Sequence, residues 1–203
     1  MTVFTKNYND VSICKGEILR YAGIKKETAQ TKSLLSDALD ISKGKLTYKL
    51  CYCELPISID ENNIRLANVT VTSASLKKAL DNCDSVILFA ATVGNELDRL
   101  IARYSVSSPA TAFMLDAIGI AQIEALCNMF CDETKSEKSL LGKATTPRFS
   151  AGYGDLELSF QRDIFNLLDC HKKIGLTLNE SLLMSPSKSV SAIIGIKSQK
   201  TSS

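Results

Sequence analysis

Between Pro147 and Asp155 the chain reads PRFSAGYGD. Arg148 supplies a permanent cation that can clasp a carboxylate through two parallel hydrogen bonds. Tyr153 offers an aromatic plane and a phenolic donor, and Gly152 removes a Cβ that would hold a ligand off the main chain. The same glycines equally serve a tight turn, so the residues alone leave two readings open: a ligand site, or a connection into the apolar helical pattern that follows. Upstream, Asp116 and Glu124 stand eight residues apart on one long helical pattern. That spacing sets them about 80° apart around the axis, so they either flank the buried face together or form a solvated edge. Thr92-Val93-Gly94 joins a strand pattern to a helix start, where backbone N–H groups favour an anion or simply make a turn. Cys127 and Cys131 are spaced for a metal on one helix face. The chain has a single histidine and no CxxC pair, so buried reduced thiols are the expectation and no metal is assigned. That histidine, His171, lies beside Lys172 and Lys173 and reads as a favourable charge at a helix C-terminus.

The whole chain bounds these options. Its 203 residues are 45% hydrophobic and 23% charged, with a formal net charge of +2, an ordinary soluble composition able to bury a large core. The basic residues are scattered, which argues against nucleic acid as a partner. No apolar run approaches the roughly 20 residues of a membrane span, and the N-terminus lacks a signal-peptide pattern. Seven cysteines, an odd number, cannot all pair within the chain, and a cytoplasmic location is expected.

Elements that would position the site can be read from periodicity. A first helix is expected after a cap at Asn9 or Asp10, carrying Val11, Cys14, Ile18 and Leu19 and stopping at Gly23. A second spans about 28–41. Alternation in LTYKLCYCEL (46–55) predicts a half-buried strand, and NVTVT (68–72) a short one leading into a helix capped by Ser73 or Ser75. SVILFAAT (85–92) is apolar almost throughout, as a central strand covered on both faces would be. Helices are predicted over 95–104 and, from Ser108-Pro109, over 109–131. The polar stretch 132–146 reads as a loop, 157–173 as a helix stopped by Gly175, and 190–196 as a strand. SQKTSS reads as a frayed tail.

Arg148-x-x-x-Gly152-Tyr153 is followed in order by Leu176-x-Leu178-x-Glu180-Ser181, Met184-x-Pro186 and Ser189-Val190-Ser191. This ordered set resembles the activation (reactivation) domain of cobalamin-dependent methionine synthase. The resemblance is dense over about 147–196 and extends thinly to the acids of the long helix. ILRYAGI (18–24) and LFAATVG (88–94) look like free-standing versions of that domain.

The resemblance implies an α+β fold, one domain over 1–203 with a twisted, largely antiparallel sheet flanked by helices and a frayed end at 198–203. It implies a subunit that binds S-adenosylmethionine and supports reductive methylation of cob(II)alamin. The cobalamin would be carried by a partner, either a truncated cobalamin-dependent methionine synthase or another corrinoid protein, and the electron would come from a flavodoxin-like donor. By the same likeness Arg148 would hold the methionyl carboxylate. Ser150, Gly152 and Tyr153 would wall the ligand, and Glu124 would lie near its amino group or ribose. The family's residues beyond the SVS strand and its N-terminal acidic ligand have no clear counterpart, which leaves a corrinoid docking module without S-adenosylmethionine as the alternative.

Overall fold

The computed structural model describes residues 1–60 and 63–198. Its strands are β1 (Phe4–Tyr8), β2 (Tyr48–Asp60), β3 (Asn63–Leu66), β4 (Val69–Thr72), β5 (Ser85–Thr92), β6 (Lys143–Thr145), β7 (Thr177–Leu178), β8 (Met184–Ser185) and β9 (Ser189–Ser198). The helices are α1 (Lys15–Tyr21), α2 (Ala29–Ser42), α3 (Ala74–Ala79), α4 (Glu96–Ser107), α5 (Pro109–Leu140), α6 (Phe160–Leu168) and α7 (Cys170–Ile174). The main sheet runs β4-β3-β2-β5-β9-β6 with β1 added to β2, and each of these pairings is antiparallel. A separate hairpin joins β7 to β8. The α+β class and the largely antiparallel sheet are as the sequence implied.

Helices cover both faces because successive side chains of a strand point to opposite sides. From β5 and the residue after it, Ile87, Phe89, Ala91 and Val93 enter one core with α1, α2, α4 and α5. Val86, Leu88 and Ala90 enter the other with α3, α6 and α7. β5 is thus the doubly covered strand that its apolar run predicted, held between β2 and β9. β2 is longer than the alternation in 46–55 suggested and changes partner along its length. Residues up to Pro56 pair with β5, while Ile57–Asp60 pair with β3. Pro56 has no N–H to give a ladder, and it stands at that hand-over.

Several local expectations need correction. α1 starts at Lys15 rather than after Asn9 or Asp10, and Thr28 caps α2 with a reciprocal Thr28–Thr31 capping box. The predicted 157–173 helix is two helices, broken where Asp169 adopts the left-handed region at φ 48°. Most of the expected loop at 132–146 is helix and strand, since α5 continues to Leu140 and β6 follows. That extension holds no glycine or proline before Gly142, buries Thr134, and is anchored by residues remote in sequence. Tyr8 donates to Glu133 at 2.7 Å, Lys6 pairs with Glu133 at 3.1 Å, and Lys138 pairs with Glu54 at 2.6 Å. α5 is also long and apolar enough to cross a membrane, with 67% of its most apolar window buried inside the protein. Of the expected frayed tail, Ser198 closes β9 and donates its N–H to Asp84, whereas 199–203 lie outside the described residues.

β9 carries a glycine at a close approach to its neighbours. A Cβ at Gly195 would sit 2.6 Å from Cys83 Sγ, 2.9 Å from Leu80 Cδ2 and 3.0 Å from Thr146 Cγ2. Gly195→Val should therefore destabilise the protein by about 1–3 kcal/mol through overpacking. Urea unfolding at neutral pH measures this, and an unchanged midpoint would contradict such close packing.

Candidate functional site

The segment 143–149 runs antiparallel to β9 and carries Arg148 with it. After β6, Thr146 donates its N–H to Gly195 O at 2.9 Å, and Phe149 exchanges two 2.8 Å backbone bonds with Ile193. Beyond Ile193, among the described residues, no strand covers the outer edge of β9. A cavity of about 330 Å³ occupies that place, lined by Arg148–Ala151, Tyr153 and the Ser189–Ser191 edge, with Glu124 from α5, Gln161 from α6 and Met184 from β8.

Arg148 is the one cation among the residues lining this cavity. Its Nη2 donates to Glu124 Oε2 at 2.5 Å, with side-chain exposures of 23% and 35%. Its Nη1 is buried and has no partner. Burial works against the guanidinium's charge, but neighbouring Cys127 and Glu124 more than offset it and hold its pKa above the ordinary value. Burial also pushes the Cys127 thiol up to about 12, so at neutral pH that thiol is uncharged and Glu124 is the charge Arg148 meets. Cys127 is buried, Cys131 is half-buried, and all seven thiols are free.

Four of the five residues singled out in the sequence, Arg148, Ser150, Tyr153 and Glu124, line this one cavity. Gly152 is not among the lining residues. Its φ is +88°, a conformation that an L side chain rarely adopts, and an added Cβ would face Leu158 Cδ1 at 3.3 Å. Gly152 therefore builds the turn that presents Tyr153, with its own N–H bonded to Leu156 O at 2.8 Å. The open question about PRFSAGYGD resolves into a division of labour. Residues 148–151 and Tyr153 face the cavity, while Gly152, Gly154 and Asp155 lock the turn.

That lock is a helix cap supplied from a distance. Asp155 accepts hydrogen bonds from Ser73 Oγ at 2.6 Å, Ala74 N at 2.7 Å and Ser75 N at 3.0 Å, at the start of α3. Gly154 makes the approach possible, because a Cβ there would lie 2.4 Å from Ser75 Oγ. These donors, Ser73 first, hold the Asp155 carboxyl well below its usual range. A depressed folded-state pKa stabilises above the unfolded value, about 3.9 for Asp, and the contribution is lost as pH falls from there toward the folded value.

Two acids of α5 each take one cation from the C-terminal third, Glu124 taking Arg148 and Asp116 taking Lys188 at 2.6 Å. The Gly94 turn is structural. Gly94 N–H bonds to Thr92 Oγ1 at 3.2 Å, a Cβ there would collide with Thr47 Oγ1 at 2.1 Å, and α4 opens with Glu96 and Asp98. His171 sits in the last turn of α7, in a separate groove with Arg162 and Asn179. Nothing in the local pattern marks Gln161, which falls within the apolar pattern of α6. Asp155→Asn should lower the urea midpoint at pH 7, with the gap from wild type narrowing as pH drops below about 4. A gap that stays constant down to pH 3 would show that the carboxylate's charge is not what caps α3.

No curated protein matches the sequence. Among solved structures, "Crystal Structure of the MetH Reactivation Domain bound to AdoHcy" superposes with a TM-score of 0.72 at 15% identity, over 100% of this chain and 80% of that one. At that identity the likeness concerns the fold. The sequence from 68 to 202, which contains the cavity segment, β9 and the whole of α5, matches the family described as "Vitamin B12 dependent methionine synthase, activation domain". The chain belongs to the activation-domain family of vitamin B12-dependent methionine synthase.

Proposed function

We propose that the cavity takes S-adenosylmethionine, and that the chain presents it to cobalamin on a partner for reductive methylation of cob(II)alamin. The partner would be a cobalamin-dependent methionine synthase or another corrinoid methyltransferase. The observation that carries this reading is the buried, unpartnered Nη1 of Arg148 beside an arm already held by Glu124. A guanidinium presents its donors as a rigid fork. With one arm anchored, the other is aimed before a ligand arrives, which lowers the ordering cost of clasping a carboxylate.

The surrounding residues suit the rest of such a ligand. Ser150, Ser189 and Ser191 line the same space, the Ser189 hydroxyl donating to Pro186 O at 2.8 Å, and Tyr153 is 68% exposed. The AdoHcy bound to the structural relative supports a ligand of this class. When bound, S-adenosylmethionine would supply the methyl group and leave as S-adenosylhomocysteine, and the acceptor would be a partner's cobalamin reduced by one electron from a flavodoxin-like carrier. The work of this chain is to hold the methionyl end and fix its direction. Seven free thiols accord with a reducing compartment, and we assign the protein to the cytoplasm.

Calorimetry with S-adenosylhomocysteine tests the ligand. Wild-type protein should bind, and Arg148→Ala should lose about 1.5–3 kcal/mol of affinity, as for a hydrogen bond to a charged group. Wild-type protein giving neither heat nor thermal stabilisation at millimolar ligand would contradict the reading. The function is tested by adding the chain to a corrinoid protein in the cob(II)alamin state with reductant and S-adenosylmethionine, followed anaerobically by absorbance. The chain should restore the methylated spectrum, the Arg148→Ala variant should not, and equal recovery without the chain would reject the function.

A further inference from the structure

Gln161 is the second residue of α6, and it lines the same cavity as Arg148. Its side chain is buried, with the residue 7% exposed, and its Oε1 has no hydrogen-bond partner. Buried polar atoms in folded proteins are almost always satisfied, so an orphan on a cavity wall calls for a partner that enters the cavity. Two residues of the cavity wall thus carry a buried polar atom without a protein partner, and the two are of opposite kind, the donor Arg148 Nη1 and the acceptor Gln161 Oε1. Glu124 is the one carboxylate among the lining residues, and its Oε2 is engaged by Arg148.

A ligand that satisfies both orphans must bring an anionic acceptor and a donor into the one cavity that both residues line. The α-carboxylate and α-ammonium of an amino acid do this. A plain carboxylic acid would satisfy Arg148 and leave Gln161 stranded. We infer that Gln161 recognises the α-amino group of the ligand and makes the cavity selective for an amino-acid end over a simple carboxylate. This rests on the reading that the cavity takes an adenosyl amino acid.

The test is calorimetry on the full chain with S-adenosylhomocysteine and with its deaminated analogue, the same thioether ending in an unsubstituted butanoate. Wild type should prefer the amino ligand by about tenfold or more, the worth of one hydrogen bond to a charged group. Gln161→Leu, similar in size but without the acceptor, should bring the two affinities together by weakening the amino ligand alone. Gln161→Glu should retain or enlarge the preference, since it adds an opposite charge, and it reports even if the leucine variant does not fold. Equal weakening of both ligands in Gln161→Leu, an undiminished preference in that variant, or a reduced preference in Gln161→Glu would overturn the role of Gln161 while leaving the ligand class intact. Wild type that binds neither ligand would overturn the inference together with the proposed function.

Discussion

A guanidinium partly withdrawn from water needs a carboxylate, and Arg148 finds it in Glu124. This contact joins the long helix on one side of the sheet to the segment that follows β6. Had both arms of the fork met Glu124, the pair would be closed and self-sufficient, as bidentate pairs are. Nη2 is engaged while Nη1 has no hydrogen-bond partner, so the cation is fixed in place and still has donor capacity to spare. Truncating either partner would leave the other poorly compensated in a partly buried place, which is how such pairs become structurally necessary.

Much of the surrounding architecture serves to bring these two residues to one point. Phe149 is paired to Ile193, so Arg148 cannot drift along β9. The opposite end of β9 is fixed by its approach: Ser187 donates its N–H and hydroxyl to Asp98 at 2.7 Å and 2.6 Å, and Lys188 reaches Asp116. Gly119 leaves room for that approach, since a Cβ there would lie 2.4 Å from Leu97 Cδ2 and 2.9 Å from Lys188 Cγ. Behind the cavity, Asp155 ties the turn to α3 across about eighty residues of sequence. The uncovered edge of β9 is thus framed by contacts that hold whether or not anything lies against it.

How much of this could be read in the sequence depended on whether the signal was local. β5 was legible because eight consecutive residues carry their own burial pattern, and the Ser73 cap because caps act over three residues. The extension of α5 was not, because Glu133, Glu137 and Lys138 look solvated until Lys6, Tyr8 and Glu54 arrive from distant strands. β1 was missed for the same reason, since FTKNY acquires its meaning only against β2 and that helix. In the cavity, Arg148, Ser150, Tyr153 and Glu124 stood out through resemblance and spacing. Gly152 was assigned to the ligand wall, whereas its geometry is that of a turn former. Gln161 was invisible because a polar residue in an apolar helical pattern declares itself only when its oxygen is found buried without a donor.

The central claim is that the free arm of Arg148 awaits the carboxylate of an adenosyl amino acid. A crystal structure of the protein soaked with S-adenosylhomocysteine tests it directly. The ligand's carboxylate should lie within hydrogen-bond distance of Arg148 Nη1 while Glu124 keeps Nη2. Density for the ligand elsewhere on the protein, with Arg148 Nη1 still unpartnered, would contradict the account.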